Sequence, residues 1–568
     1  MNHTLLSRPA SVLALALAAG ALHGQAVRDV NDDSFVGGQT YTLDADTTYI
    51  FDGQVFVEEG ATLNIPAGTV LQFTSGAADQ ASALIIARGA QIFARGTAEA
   101  PVILTYDGDD VTDPNDIPEV VTRGLWGGLI ILGSGTVALD EAGIGQIEGI
   151  DPNEPRAQYG GGANPDDDES SGVLTYVSIR HAGAALAPGD EINGLTLGGV
   201  GRGTEIDYVE VYANLDDGIE WFGGAVDVKH AVVSFCGDDS YDYDQGWRGR
   251  GQYWFSYSGT DVVGRAGEWD GAIPDANDPF ATVTLANATF IGAGTDADFD
   301  EETGGDGNDY AIVIRDGAGA RVYNSIITDF PERAVNLEDL SADRGVDSYQ
   351  RLLDGDVDFE GVVFGDFGRD DADVDSLINY YSEGDDPTGA STAAELTDGN
   401  QFVGDAGLLR QIDRASAIDP RPLTTGAGAT ATATLPDDDF FDDVDYAGAF
   451  DPTEAIWAGA WTAMQHYSIL GGLIVDVEEP TALAANSLAL VPNPANRTAT
   501  LNFDLTESAE VVIDVLDVSG RRVARSASLR GAGAQRAQLN VAGLADGAYV
   551  VRVVSGGGVL AQQLVVRH

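Results

Sequence analysis

Residues 206–224 read IDYVEVYANLDDGIEWFGG, and residues 228–246 read VKHAVVSFCGDDSYDYDQG. Each stretch opens with a run typical of a β-strand, turns at two adjacent aspartates, and ends in a second short run with an acid and aromatic residues. The offset of 22 residues aligns three acidic positions of the first stretch with three of the second, namely Asp216, Asp217 and Glu220 with Asp238, Asp239 and Asp242. A repeat of this length is typical of a solenoid, in which each unit buries its apolar face only against its neighbours.

The same pattern runs through residues of about 30–475. GATLNIPAGTVLQF (60–73) and ATVTLANATFIGAG (281–294) are further examples of short runs with two-residue alternation, separated by Gly and Asn turns. A two-sheet sandwich is the alternative, but turns of the Asn-Gly type that join hairpins are few. We therefore predict an all-β protein whose body is a right-handed parallel β-helix with acidic loop insertions. We expect residues of about 436–470 to cap its last coil, which would otherwise expose a strand edge.

The composition of the chain is strongly acidic. It holds 91 acidic and 29 basic residues in 568, a net charge of −62, and Lys229 is the only lysine. Such an anionic, lysine-poor surface is typical of proteins that work in concentrated salt, where the self-repulsion is screened. A polyanion repels nucleic acid, so we expect no nucleic-acid partner.

The first 26 residues have the features of a signal peptide. Arg8 precedes a short apolar run, and small residues follow near Gly24 to Ala26. The run is shorter than the ~20 residues that span a bilayer, and no other segment of the sequence is long and apolar enough. Cys236 is the only cysteine, which excludes an intrachain disulfide and suggests a small buried side chain.

Residues 488–568 differ from the body in charge. Residues 481–568 contain six acidic and eight basic residues, whereas residues 1–480 contain 85 and 21. The shift marks a domain border, with residues 476–487 as a linker. Alternating strands and Gly-rich turns predict a small antiparallel β-sandwich for this tail.

The tail resembles the C-terminal sorting domain of type IX secretion. The resemblance rests on an opening Pro-Asn-Pro, an Asp-x-x-Gly turn and a Leu-x-x-Gly-x-Tyr strand, which occur in the family's order: Pro492, Asn493, Pro494, Asp517, Gly520, Leu544, Gly547 and Tyr549. It implies that the type IX machinery recognises this tail at the outer membrane, and that the body is released or attached at the outer cell surface.

The body resembles a family of large exported bacterial proteins that are interpreted as β-helical and have no assigned activity. The resemblance covers roughly residues 40–470 and lies in blocks such as GLWGGLIILG (124–133) and DDGIEWFGG (216–224). It implies a fold and a location rather than a reaction.

The stacked aspartates require a compensating charge. Two carboxylates ~5 Å apart repel by about 3 kcal/mol at an effective dielectric constant of about 20. Calcium, a nearby arginine (Arg248 or Arg250), protonation or salt could offset this repulsion. Calcium binds carboxylate and carbonyl oxygens, so one hypothesis is a calcium site formed by Asp216, Asp217, Asp238, Asp239 and Asp242.

A catalytic interpretation is the alternative. Asn214-x-Asp216 and Asp238-Asp239 resemble the acid–base stations of pectin-cleaving β-helix hydrolases, and would assign catalysis to Asp216, Asp238 and Asp239. The Gly-His-Gly and Arg-x-Lys stations of those enzymes have no counterpart here. Paired carboxylates are nevertheless what glycoside hydrolysis or a lyase would use.

Aromatic residues follow the acids and have two interpretations. In a β-helix they form internal stacks, or, where they face outward, they bind sugar rings. The second interpretation makes Trp221, Tyr243 and Trp247 candidate ligand-binding residues. The sequence thus favours an exported surface module that binds a ligand, such as a glycan, or has a structural role, with a polysaccharide-active enzyme as the alternative.

Overall fold

The structure is a computed structural model that describes residues 26–76, 81–113, 122–139, 142–184, 192–261, 264–272, 277–297, 310–340, 346–368, 377–381, 400–402, 408–412, 417–471, 488–505, 509–516, 522–545, 547–555 and 558–568. The predicted signal peptide up to residue 25 and the predicted linker lie outside the described residues, as do Asp517 and Gly520. The chain divides into two compact units, residues 1–471 and 472–568.

The first unit consists of short strands joined by turns. Its strands are β1 (Ala26–Val30), β2 (Thr40–Thr42), β3 (Thr47–Phe51), β4 (Gln54–Val57), β5 (Thr62–Pro66), β6 (Val70–Phe73), β7 (Ala83–Ile86), β8 (Gln91–Arg95), β9 (Val102–Tyr106), β10 (Leu129–Leu132), β11 (Gly145–Gln146), β12 (Gln158–Tyr159), β13 (Gly172–Arg180), β14 (Leu195–Gly198), β15 (Glu205–Tyr212), β16 (Ile219–Phe222), β17 (Val228–Ser234), β18 (Tyr241–Asp244), β19 (Arg250–Tyr257), β20 (Gly267–Asp270), β21 (Thr282–Ala286), β22 (Thr289–Ile291), β23 (Ile312–Arg315), β24 (Gly319–Tyr323), β25 (Ile326–Thr328), β26 (Val335–Glu338), β27 (Val357–Glu360), β28 (Val363–Phe364), β29 (Ile378–Tyr381), β30 (Gln401–Phe402), β31 (Leu409–Gln411) and β32 (Asp419–Pro422). Its α-helices are α1 (Ser348–Leu353) and α2 (Ala463–His466), and 3₁₀ turns occupy Pro155–Ala157 and Ala427–Ala429.

The strands stack as the coils of a parallel β-helix, which confirms the predicted fold class. Ten of them form one parallel sheet, the ten-strand sheet, in the order β4, β7, β10, β14, β16, β18, β20, β23, β26 and β29. A second sheet of 18 strands, the bent sheet, forms the remaining sides. Each coil therefore contributes one strand to the ten-strand sheet before the chain returns to the bent sheet.

The bent sheet contains two parallel ladders joined by four long strands, β13, β15, β17 and β19. Each long strand bends at one aromatic residue with positive φ, at Tyr176, Tyr208, His230 and Tyr253 respectively. Positive φ is unfavourable for such residues, and here their rings stack at centroid distances of 4.1–4.7 Å from coil to coil. The stack fixes the same corner in four successive coils.

The interior between the sheets is apolar and aromatic. Trp221 stacks on Trp254 with ring centroids 5.2 Å apart and on Trp247 at 4.7 Å. Their neighbours along the axis are aliphatic side chains such as Leu197 and Ile314, which align with Trp221 and Trp269 in the ten-strand sheet. Stacking of like positions on adjacent coils makes one continuous core.

Residues 417–471, the flank segment, lie along the side of the coils. Asn324 donates to the carbonyl of Ala433 at 3.0 Å, and Lys229 pairs with Asp442 at 3.1 Å. Further along, the backbone N–H of Ala463 donates to Glu210 at 2.7 Å. The prediction that residues 436–470 cap the last coil is thus corrected: the segment runs back along one flank because its aromatic residues pack on the stacked corner rings.

The second unit is a small antiparallel β-sandwich, as predicted for the tail. One sheet holds β33 (Ala489–Val491), β34 (Thr498–Leu505) and β37 (Gly533–Asn540). The other holds β36 (Arg522–Arg530), β35 (Ala509–Leu516), β38 (Gly547–Ser555) and β39 (Gly558–Val566). Residues of both sheets share one apolar core.

Candidate functional site

The 22-residue register predicted from the sequence is present in the ten-strand sheet. β16 pairs with β18 so that Glu220 lies beside Asp242 and Trp221 beside Tyr243. Adjacent strands of a sheet lie about 4.8 Å apart. The aspartate pairs that precede these strands, Asp216-Asp217 and Asp238-Asp239, therefore stack on the same turn of successive coils.

In each pair, the carboxylate of the second aspartate accepts a hydrogen bond from a backbone N–H of the next coil. The carboxylate of Asp217 accepts a 2.8 Å hydrogen bond from the N–H of Asp239. The carboxylate of Asp239 in turn accepts from the N–H of Arg265 at 2.7 Å and from its guanidinium at 3.2 Å. Asp239 is predicted from the sequence to be a metal ligand and a catalytic acid. In the structure it is 2% exposed and forms an ion pair with Arg265.

The other acids converge on Asp217. Carboxylate oxygens of Asp216, Asp217 and Asp238 lie within 4.8 Å of one another, and so do those of Asp217, Glu220 and Asp242. We call these five residues the carboxylate cluster. Asp217 belongs to both groups, so one turn and the adjoining strand positions bring five acids together.

Two residues that the sequence did not single out border the cluster. Asn193 donates to Glu148 at 2.9 Å and also to Glu220. Glu148 belongs to residues 133–171, an insertion that packs on the outer face of the ten-strand sheet, where Tyr159 donates to Gln245 at 2.7 Å. Asn193 and Arg265 lie next to the repeated aspartate turns, but the coils that carry them are not offset by 22 residues from those turns. A fixed 22-residue period in the sequence therefore does not point to them.

Burial and repulsion by neighbouring acids raise the pKa of three carboxyl groups in the cluster, those of Asp217, Glu220 and Asp242. Burial raises the pKa of Asp217 well above its usual value, and Asp242, Asp216, Asp238 and Asp239 raise it further. Burial, followed by Glu148 and Asp242, does the same for Glu220. A cluster with these properties holds protons or a cation, because several buried charges of one sign cannot remain uncompensated.

Buried oxygens without hydrogen-bond partners lie in and beside the cluster. They are Oδ1 of Asp242, of Asn193 and of Asn214, among the side chains that the structure describes. Asn193 and Asn214 are 1% and 0% exposed, and Asn214 also donates from Nδ2 to the carbonyl of Asp217 at 2.6 Å. Calcium binds carboxylate and carbonyl oxygens, so this donor set fits calcium in chemical type.

The arginines proposed to neutralise the aspartates lie elsewhere. Arg248 pairs with Asp167 at 2.9 Å, and Arg250 pairs with Asp227 and Asp438. The prediction that they approach the aspartate pairs is corrected, because β19 carries Arg250 to the bent sheet. Arg265, one coil further on, provides the guanidinium that contacts Asp239.

The aromatic candidates for ligand binding are part of the core. Trp221, Tyr243 and Trp247 are each 0% exposed. Tyr243 donates to the carbonyl of Gly319 at 2.7 Å, and Trp247 donates to that of Val226 at 3.2 Å. The interpretation as a sugar platform is corrected, because alternation along β16 and β18 turns Trp221 and Tyr243 toward the core, and Trp247, which follows β18, stacks on Trp221.

Most of the residues assigned to the sorting signal lie in the described part of the tail. Asn493, between Pro492 and Pro494, accepts the N–H of Val565 at 2.8 Å through its side chain. Tyr549, which follows Gly547 on β38, donates to the carbonyl of Ala545 at 2.9 Å, and Leu544 packs against the tail core. The opening motif is thus held against the final strand.

The families that match the chain agree with this architecture. Residues 37–401 match the family described as a pectate-lyase-like β-helix domain, and residues 489–567 match the secretion system C-terminal sorting domain. No curated protein matches the chain. A similar solved structure is the enzymatically active domain of tailspike protein 4 of bacteriophage CBA120, at 9% identity and a TM-score of 0.20. The alignment covers 91% of this chain and 64% of the tailspike chain.

Proposed function

The chain belongs to the pectate-lyase-like β-helix family and carries a type IX sorting domain, and on that premise we propose that its body is a calcium-stabilised binding and structural module of the outer cell surface. Secretion or surface attachment follows from the sorting domain, whose partner is the secretion machinery. Among the described residues, no helix combines the length and apolar character needed to cross a bilayer.

The observation that carries the proposal is the carboxylate cluster. Its acids form two groups of three that share Asp217, and within each group carboxylate oxygens lie within 4.8 Å of one another. Asp242 and the bordering Asn193 and Asn214 have oxygens without hydrogen-bond partners. A divalent cation would satisfy these oxygens and remove the repulsion. It would also connect adjacent coils, since the ligands come from residues 22 positions apart.

Calcium titration of the full chain tests the proposal. After chelation, added calcium should raise the melting temperature by mass action, by an amount equivalent to about 2.7 kcal/mol at 100 times Kd. Asp242→Asn should abolish this gain, whereas Asp168→Asn, the same charge change at an exposed ion pair, should retain it. An unchanged melting temperature with calcium, or an equal gain in both variants, would contradict the proposal.

A polysaccharide-active enzyme is the second candidate. It is favoured by the position of Asp238, which is exposed, beside the half-buried Asp216 at the surface end of the cluster. A carboxyl pair ~5 Å apart is the spacing that retaining glycosidases use. The test is to incubate the protein with a panel of polysaccharides and to measure new sugar ends. Release of such ends by the wild type but not by Asp238→Asn would support an enzyme over a non-catalytic module.

A further inference from the structure

We infer that residues 430–446 of the flank segment form a salt-controlled arm, which lies closed on the bent sheet in concentrated salt and opens in dilute salt. The arm contains neither helix nor strand. The residues that follow it, 447–471, are the anchor, which stays docked when the arm opens. The inference does not depend on the carboxylate cluster, because the cluster has no residue in the arm.

The anchor is held by apolar packing. Phe450 packs on Phe255 of β19, with ring centroids 5.1 Å apart. Trp461 and Met464 are buried in the same apolar cluster. Apolar burial involves no charge, so the screening of charges by salt has little direct effect on it. The anchor therefore has no electrostatic reason to leave the sheet at low salt.

The arm is attached through polar contacts. Gln252 donates to the carbonyl of Asp442 and accepts its N–H, both at 2.9 Å. Asn324 accepts the N–H of Ala433 at 2.9 Å and donates to its carbonyl at 3.0 Å. When the arm leaves, water replaces these neutral hydrogen bonds, so each contributes only modestly to docking. The arm can open without disrupting the apolar core of the coils.

Two cations hold the middle of the arm. Lys229, the only lysine of the chain, pairs with Asp442 at 3.1 Å, and Arg250 pairs with Asp438. Both cationic groups lie over the ring of Phe440, 5.1 and 4.7 Å from its centroid. These contacts are short and partly shielded from water, so salt screens them less than it screens charges that are far apart in solvent.

The charge of the arm opposes its docking. The arm contains six aspartates and no basic residue, in a chain whose net charge is −62. Four of these aspartates are exposed and have no ion pair within the described part of the chain, namely Asp437, Asp439, Asp443 and Asp445. Their repulsion acts over the Debye length, which grows from about 3 Å at 1 M salt to about 30 Å at 0.01 M. Removal of salt therefore strengthens the repulsion more than it strengthens the two contact pairs.

Hydrogen–deuterium exchange of the full chain measures the opening of the arm. In about 1 M sodium chloride with a chelator, the N–H groups of Thr432, Ala433 and Asp442 should exchange slowly, because each is hydrogen-bonded in the closed form. In about 0.05 M sodium chloride they should exchange at least about tenfold faster, because repulsion raises the open population. Amides of the anchor and of β17 and β19 are the internal reference and should change by less than about twofold.

Variants assign the effect to the charge of the arm. The triple variant Asp437→Asn/Asp439→Asn/Asp443→Asn removes half of that charge and should reduce the salt effect on arm exchange from about tenfold to about threefold. Asp29→Asn/Asp33→Asn/Asp46→Asn makes the same charge change at exposed acids of the first coil and should leave the effect unchanged. Lys229→Gln removes one of the two cations and should speed exchange of the arm even at high salt.

Three results would overturn the inference. Arm exchange that is equal at both salt concentrations would show that the arm does not respond to salt. An equal increase in the arm, the anchor and the two reference strands would show a general loosening of the body. An equal salt effect in the two triple variants, both folded by circular dichroism, would show that the charge of the arm does not control its opening.

Discussion

The backbone N–H of Asp239 donates a 2.8 Å hydrogen bond to the carboxylate of Asp217 on the preceding coil. Arg265 repeats this relationship one coil later, donating from its N–H to Asp239 at 2.7 Å. The aspartates at this turn therefore hold successive coils in register, in addition to any role with a cation. The series of stacked aspartates at this turn ends at Arg265, whose guanidinium group neutralises Asp239.

Loss of Arg265 should destabilise the body. Arg265 and Asp239 have side chains 5% and 3% exposed, so Arg265→Gln leaves a buried charge without a partner, which costs about 3–5 kcal/mol. Chemical denaturation followed by tryptophan fluorescence measures the loss. Arg202→Gln is the control and should change stability by less than about 0.5 kcal/mol.

The double variant Arg265→Gln/Asp239→Asn separates charge from packing. It should recover much of the stability lost in Arg265→Gln, because the unpaired carboxylate is removed as well. A loss in Arg265→Gln no larger than in Arg202→Gln would show that the pair is not important for stability.

Stability should fall as the pH rises when calcium is absent. Burial, with Asp270 adding to it, raises the pKa of Asp244 from 3.8 to about 7. Between these values the folded protein holds a proton that the unfolded chain has released, so stability decreases with increasing pH. Thermal melts from about pH 4 to 8 in chelator should show a shallower decrease for Asp244→Asn than for the wild type. Parallel curves for the two proteins would be inconsistent with a raised pKa at Asp244.

Stability should also depend on salt. A chain of net charge −62 repels itself more strongly as the Debye length grows from about 3 Å at 1 M salt to about 30 Å at 0.01 M. The melting temperature should therefore decrease as sodium chloride is withdrawn. Sucrose is the control: as a neutral solute it does not screen charge, so adding it at low salt should not restore the melting temperature measured at high salt. A flat profile would mean that the acidic composition is not an adaptation to salt.

Deletion of the tail should block delivery to the surface. The sorting domain occupies residues 489–567, so a chain without residues 488–568 should accumulate in the periplasm, as measured by fractionation and by protection from external protease. Fusion of the same tail to a reporter is the matched control and should bring the reporter to the surface. Surface display of the truncated chain would falsify recognition through the tail.

The sequence by itself determined the fold class, the coil register and the sorting domain. Alternation of apolar residues and the 22-residue offset between Asp217 and Asp239 identify a solenoid, because stacked coils place equivalent residues on one another. The sorting domain could be identified from the sequence because each of its motifs consists of residues that are close together in the chain. The fold class, the coil register and the sorting domain all depend on short-range patterns, and a single sequence is enough to show such patterns.

Only the tertiary structure decided which side chains meet. It placed Trp221 and Trp247 in the core, brought Glu148 and Asn193 to the carboxylate cluster, and assigned Arg265 rather than Arg248 to the aspartates. It also laid the flank segment along the coils. The physical reason is that loops and unequal coils connect residues far apart in the chain, and the neutralisation of a buried charge depends on which groups share that space.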